Sequence, residues 1–184
     1  MKFLVLGALA LLMTVSAAGA QTLDRIRKQG TVRLGYVEGA APFSSAENGG
    51  EPQGYSVELC RAVVDGLAEQ LKRESLPIQW VKLTLQNRIE AVRKKQVDIE
   101  CGTATWTLSR QQLVDFSLIT FVDGGSLLVG AQSEISQLRD LEGKRIAVIA
   151  GTTTEPALRA ALEDRKSTRL NSSHPQLSRM PSSA

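Results

Sequence analysis

The sequence predicts an α/β protein, a parallel sheet covered by helices, and three observations carry that expectation. Short apolar, strand-like runs alternate with helix-period segments between residues 31 and 100. The connections between them are short, which is the strand–helix–strand grammar of parallel pairing. Hydroxyls and a guanidinium then gather just past the last of these strands, where sheets of this kind hold their ligands.

The elements follow in order. Residues 22–29 (TLDRIRKQ) read as a short helix, with Thr22 near its start and Gly30 as its stop. Residues 31–36 (TVRLGY) alternate as a strand, and 41–54 form a loop rich in Gly, Glu, Asn and Pro. Residues 55–71 make an amphipathic helix, with Val57, Cys60, Val64, Leu67 and Leu71 on one face. A second strand is expected at 76–81, a helix capped by Asn87 at 87–95, and a short buried strand at 97–100. Beyond these, 127–129 read as a strand leaving the first unit, 138–144 as a short helix and turn, and 145–150 (RIAVIA) as a buried strand. Residues 151–156 (GTTTEP) open a further helix, whose free N–H groups and hydroxyls suit an anion. An ordinary threonine cap is the alternative there.

The two ends read differently from the middle. Residues 1–20 carry Lys2, an apolar run and a small-residue ending at Ala18, Gly19 and Ala20, the pattern of a cleaved export signal. The apolar run is shorter than a comfortable membrane span, and no cysteine stands at the cleavage point for a lipid anchor. Export to a bacterial periplasm is the simplest destination. Residues 164–184 show neither period. One choice of codons for 164–174 and 178–184 reproduces, in order, two blocks of a common sequencing-library adapter. This tail is expected to be an artefact, with a natural Ser/Arg-rich tail as the alternative.

That reading changes the charge. The chain has 22 basic and 19 acidic residues. Without Lys2, Arg165, Lys166, Arg169, Arg179 and Asp164, 17 basic and 18 acidic residues remain between 21 and 163. The basic balance that would suggest a nucleic-acid partner disappears. The single histidine, His174, goes with the tail, so a His-based dyad or metal cluster is not drawn from this chain. No metal or cofactor is expected.

The chemistry concentrates in CGTATWTLSRQQLVDFS, from Cys101 onward. Thr103 and Thr105 follow Gly102, and Arg110 comes five residues later. A guanidinium offers paired donors to two carboxylate oxygens, and hydroxyls fill the remaining lone pairs. A surface arginine beside a polar turn is the bland alternative. Cys60 and Cys101 are the only cysteines, an even number for an oxidising compartment. Both fall towards the ligand-facing end of the sheet and form a candidate disulfide, two free buried thiols being the alternative.

Taken together, TLDRIRKQGTVRLGY, APFSS, GYSVELCRAV, QNRIEAVRKKQVDIECG, TLSRQQLVDFS and LEGKRIAVIAGTTTE resemble the periplasmic amino-acid-binding proteins of ABC transporters, the bacterial extracellular solute-binding proteins of family 3. QNRI, DIECG and GTTTE look like the glutamate/aspartate-binding branch. The resemblance implies a type II periplasmic-binding-protein fold of two lobes that closes on its ligand. Lobe one would span 21–130 and the start of lobe two 131–163, with the rest of lobe two beyond this chain. It further implies that Arg110 binds the ligand α-carboxylate, with Thr105 and Thr103 contacting the α-carboxylate and α-ammonium. Thr152 and Thr153 would take carboxylate oxygens, and Arg88 would reach a side-chain carboxylate, a solvated arginine being the alternative. The chain departs from the acidic branch at Val37 and Leu85, and Ala40 stands where other branches stack an aromatic. The expected protein is a monomeric, non-enzymatic receptor delivering a polar amino acid to a membrane permease. A cyclohexadienyl dehydratase-like enzyme, or the sensing domain of a larger chain, are the rival readings.

Overall fold

The computed structural model describes residues 18–167. Most of the expected export signal and residues 168–184 of the expected artefact lie outside the described residues. The chain divides into two compact units between Val114 and Asp115, upstream of the 130/131 boundary expected from the sequence.

In the first unit, β1 (Val32–Val37) is the central strand of a three-stranded parallel sheet, flanked by β2 (Ile78–Leu83) and β3 (Ile99–Cys101). Val32, Leu34 and Val37 of β1 are buried, as befits a strand covered on both faces. Helix α1 (Ala18–Gln29) and helix α2 (Tyr55–Gln70) supply Ile26, Cys60, Val64 and Ala68 to one core cluster with Val32, Leu34, Leu76 and Cys101. Helix α3 (Arg88–Arg93) supplies Ala91 to a second cluster with Val37, Leu83 and Val97. Each fully buried Val or Leu here contributes about 1.5–3 kcal/mol relative to exposure. A one-turn helix, α4 (Leu108–Gln111), follows the turn after β3, and the Thr107 side chain caps it by accepting from the Arg110 N–H.

Two local details position the ends of these elements. Asp98, just before β3, accepts from the Arg33 N–H at 2.8 Å and pairs with both Arg25 of α1 and Arg33 of β1. One buried carboxylate thereby fastens α1 to two strands. At the other end, the Tyr55 and Ser56 N–H groups that open α2 donate to the carbonyls of Pro42 and Phe43. Gly54 makes this approach feasible. Its φ is +123°, and a Cβ there would lie 2.6 Å from the Phe43 backbone.

Three expectations are corrected. Asn87 precedes α3, but its side chain makes no cap bond to the helix; its Oδ1 accepts from the Thr84 N–H at 2.8 Å, closing the preceding turn. Residues 127–129 and 145–150 are not strands. The latter is largely exposed, despite its apolar run. A strand exists as part of a ladder, and none of the described residues of that unit pairs with either segment. Among the described residues of the second unit, a 3-10 turn (Leu138–Leu141) packs with α5 (Thr154–Ser167).

Candidate functional site

The carboxyl end of β3 gathers the candidate residues of the first unit. Cys101 ends β3 and is joined to Cys60 of α2, with their Cα atoms 6.1 Å apart. One residue on, the Gly102 carbonyl accepts from the Ser56 hydroxyl at 2.8 Å. Helix α2 therefore holds the start of the hydroxyl-bearing turn at two points. Gly102 is closely packed: a Cβ there would stand 2.3 Å from Glu100 Oε1 and 3.1 Å from Val37 Cγ2, so the Glu100 carboxylate would have to shift.

The disulfide closes a loop of 41 residues. By the chain-entropy account it stabilises the fold by about 3–4 kcal/mol. Reduction is therefore expected to lower the urea midpoint by the corresponding amount. Mass spectrometry without reductant should recover Cys60 and Cys101 in one linked peptide pair; two freely alkylated thiols in the unfolded, unreduced protein would contradict the bond.

Arg88 opens α3 and is buried, with 3% of its surface exposed. The solvated alternative for this residue does not hold. Its Nη1 donates to Thr103 Oγ1 at 3.3 Å and lies 3.7 Å from Glu100 Oε1. The Glu100 side chain is nine-tenths buried. Neither Glu100 Oε1 nor Arg88 Nε makes a hydrogen bond to a described residue. Burial pushes the Glu100 carboxyl above its usual range, opposed by the Arg88 charge, the Gly102 N–H and the Arg110 charge. Burial likewise pulls Arg88 below the ordinary guanidinium value, with Glu100 opposing and Arg110 adding to it.

This pair has a consequence for Thr103. Its oxygen is already an acceptor for Arg88, so its single O–H is directed elsewhere. Thr103 as a residue is exposed, and its hydroxyl proton remains available to an acceptor such as a carboxylate oxygen. Arg110 stands on α4 with Nη1 donating to the Thr105 carbonyl at 3.0 Å. That bond sets the guanidinium over the same turn. Trp106, between them, is 46% exposed.

The structure thus brings Arg88 to Thr103 and Arg110 to Thr105. Thr152 and Thr153 belong to the second unit, in the turn before α5. The Thr153 carbonyl accepts from the Ala157 N–H at 3.2 Å, the ordinary role of a residue preceding a helix. The Thr152 hydroxyl donates to the Ile149 carbonyl at 2.7 Å. Its one proton is occupied there, and a carboxylate at this turn would be met by backbone N–H groups rather than by that hydroxyl. By sequence, Glu100 is offered, with Glu38 and Asp115, only as an acid or base that could lie near the cleft in the enzymatic alternative; its pairing with Arg88 is what the structure adds. The available signal was a charged residue inside a short buried strand, between Ile99 and Cys101.

Residues 32–179 match the family model described as bacterial extracellular solute-binding proteins, family 3. The chain belongs to that family. Among curated family members, the glutamate/aspartate import solute-binding protein of Salmonella typhimurium is 36% identical over 149 residues, covering 81% of this chain and 49% of that protein. The L-glutamate/L-aspartate-binding protein of Pseudomonas aeruginosa is 38% identical over 146 residues, covering 79% and 48%. This family 3 chain thus spans about half the length of the curated relatives it matches. Among solved structures, an ancestral amino acid-binding protein that is a precursor of cyclohexadienyl dehydratase aligns with a TM-score of 0.67 at 30% identity, over 77% of this chain and 61% of that one. A periplasmic binding protein from Brucella ovis with glutathione bound aligns with a TM-score of 0.68 at 28% identity, over 79% and 45%.

Proposed function

We propose that the protein is a periplasmic solute receptor that binds a polar amino acid and delivers it to the permease of an ABC transporter. The observation that carries this reading is the cluster at the carboxyl end of β3, where Arg110 donates to the Thr105 carbonyl and Thr103 accepts from Arg88. In the proposed site Arg110 takes the α-carboxylate, and Thr103 and Thr105 complete its hydrogen bonding. Thr152 and Thr153 are proposed as further carboxylate-facing donors, chiefly through their N–H groups. The names of the curated relatives support an amino acid as ligand, as do the family and the fold. In this reading residues 1–20 direct export, 21–130 form lobe one of a two-lobe type II binding fold, and 131–163 begin lobe two. Residues 164–184 remain proposed as an adapter artefact, although the family match extends to residue 179 and α5 runs on to Ser167.

A second, enzymatic reading draws on the dehydratase connection of the ancestral relative and on Glu100, a buried carboxyl with a raised pKa beside the cluster. Calorimetry against the twenty amino acids, on the protein expressed from its own locus, tests the receptor reading. Saturable binding of at least one amino acid, recovered chemically unchanged after incubation, is expected. Turnover of a cyclohexadienyl acid without stable binding of any amino acid would favour the enzyme.

A further inference from the structure

The turn that carries Thr103 and Thr105 leaves a strand with little support of its own. Strand β3 has three residues, and its register on β1 ends at the pair Tyr36 and Cys101. Among the described residues it is an edge strand, so this ladder runs along one side only. Further support comes from α2. Cys60 is joined to Cys101, both of them buried, and the Ser56 hydroxyl donates to the Gly102 carbonyl at 2.8 Å. Ser56 and Cys60 stand four residues apart on α2, one above the other on a single helix face. That face is anchored in turn, since the Ser56 N–H donates to the Phe43 carbonyl at 3.0 Å. Helix α2 thus grips two consecutive residues, Cys101 by a covalent bond and Gly102 by its carbonyl.

We propose that Ser56 and the Cys60–Cys101 disulfide are positioning groups for amino-acid binding: they preset the turn at 102–105, and affinity depends on both. This deepens the receptor reading and rests on it. The disulfide fixes where the chain leaves the sheet. The Ser56 bond fixes the peptide that follows, because the Gly102 carbonyl and the Thr103 N–H belong to one rigid plane. With the carbonyl turned to α2, the Thr103 N–H at the other end of that trans unit is turned away from α2. Residues already held in their bound arrangement need not be ordered by the ligand, and such ordering is subtracted from affinity. Neither group touches the amino acid; both act through the turn. Affinity and redox state are then linked. An oxidised form that binds more tightly by some factor requires the bound amino acid to make the disulfide harder to reduce by the same factor. A bond that served only the stability of the fold would show neither dependence while the protein stays folded.

The test uses the protein expressed from its own locus, with whichever of the twenty amino acids binds the oxidised form most tightly as the probe. Dithiothreitol breaks the Sγ–Sγ bond to two thiols while its own dithiol closes to a disulfide. Where circular dichroism shows the reduced protein still folded, calorimetry should give affinity about tenfold or more weaker, the cost of ordering one or two residues on binding. Saturation with the probe should then lower the reduction potential of the pair by about 30 mV for each tenfold difference in affinity. Ser56→Ala should weaken binding by about three- to tenfold, the worth of one neutral hydrogen bond, and Ser56→Thr, which keeps the hydroxyl, should recover most of it. If the reduced protein unfolds, the two Ser56 variants decide alone. Unchanged affinity in a folded Ser56→Ala, or in folded reduced protein, would overturn the proposal while leaving the receptor reading intact. Binding of no amino acid by the oxidised wild type would overturn the receptor reading, and this inference with it.

Discussion

Replacing Arg110 by alanine is expected to weaken binding of the amino acid by roughly ten- to a few-hundred-fold. A hydrogen bond to a charged group is worth about 1.5–3 kcal/mol, and tenfold in affinity corresponds to about 1.4 kcal/mol. The arginine stands on α4, held by its own contact to the Thr105 carbonyl, so little ordering is left to be done on binding. Arg110→Lys should recover only part of the loss, since an ammonium cannot reproduce the paired donors of the fork. Thr105→Val should cost less, about one neutral hydrogen bond, because the Thr105 carbonyl that holds Arg110 is retained. Titration calorimetry on the protein expressed from its locus decides between these. An unchanged affinity in a folded Arg110→Ala would remove Arg110 from the site.

Arg88→Met carries the largest expected effect on stability, about 3–5 kcal/mol at neutral pH. The substitution keeps the volume apolar but strands the Glu100 carboxylate in the interior, and breaking one side of a buried pair costs about this much. The pH dependence has a definite sign. Burial already raises the Glu100 pKa in the presence of Arg88, and losing the cation raises it further. The folded state then binds the Glu100 proton more tightly than the unfolded chain does. Stability attributable to this group is complete below the ordinary carboxylate pKa and is lost as pH rises through the raised folded value. The deficit of Arg88→Met should therefore shrink as pH falls into the carboxylate range and grow towards neutrality. Adding Glu100→Gln to Arg88→Met removes the stranded charge, and the double variant should regain much of the loss. Urea unfolding across that pH range measures both effects. A deficit independent of pH and unrelieved by Glu100→Gln would mean that Arg88 contributes through packing alone.

Legibility in the sequence followed the range of the forces involved. The helical period of 55–71 and the alternation of 31–36 report which faces are buried, and both survive as α2 and β1. Arg110, Thr103 and Thr105 were legible as candidates because a single turn carries them and chain connectivity alone keeps them close. The Asn87 expectation went wrong one step further out, since its side chain had two competing backbone partners and the structure chose Thr84.

By itself the sequence determined the α/β class, the order of the first-unit elements and the turn that bears the guanidinium and hydroxyls. Each depends on residues within a few positions of one another. Tertiary structure decided what depends on distant partners. Asp98 became a lock only because Arg25 and Arg33 arrive from 73 and 65 residues away. The apolar run at 145–150 stayed out of a sheet because a strand requires a neighbour to complete its hydrogen bonds. Arg88, indistinguishable in sequence from a solvated residue of a first helical turn, became a buried cation because α3 packs its start against β3, where Glu100 and Thr103 wait. Burial removes water from a charge, and only the fold could supply the carboxylate and hydroxyl that replace it.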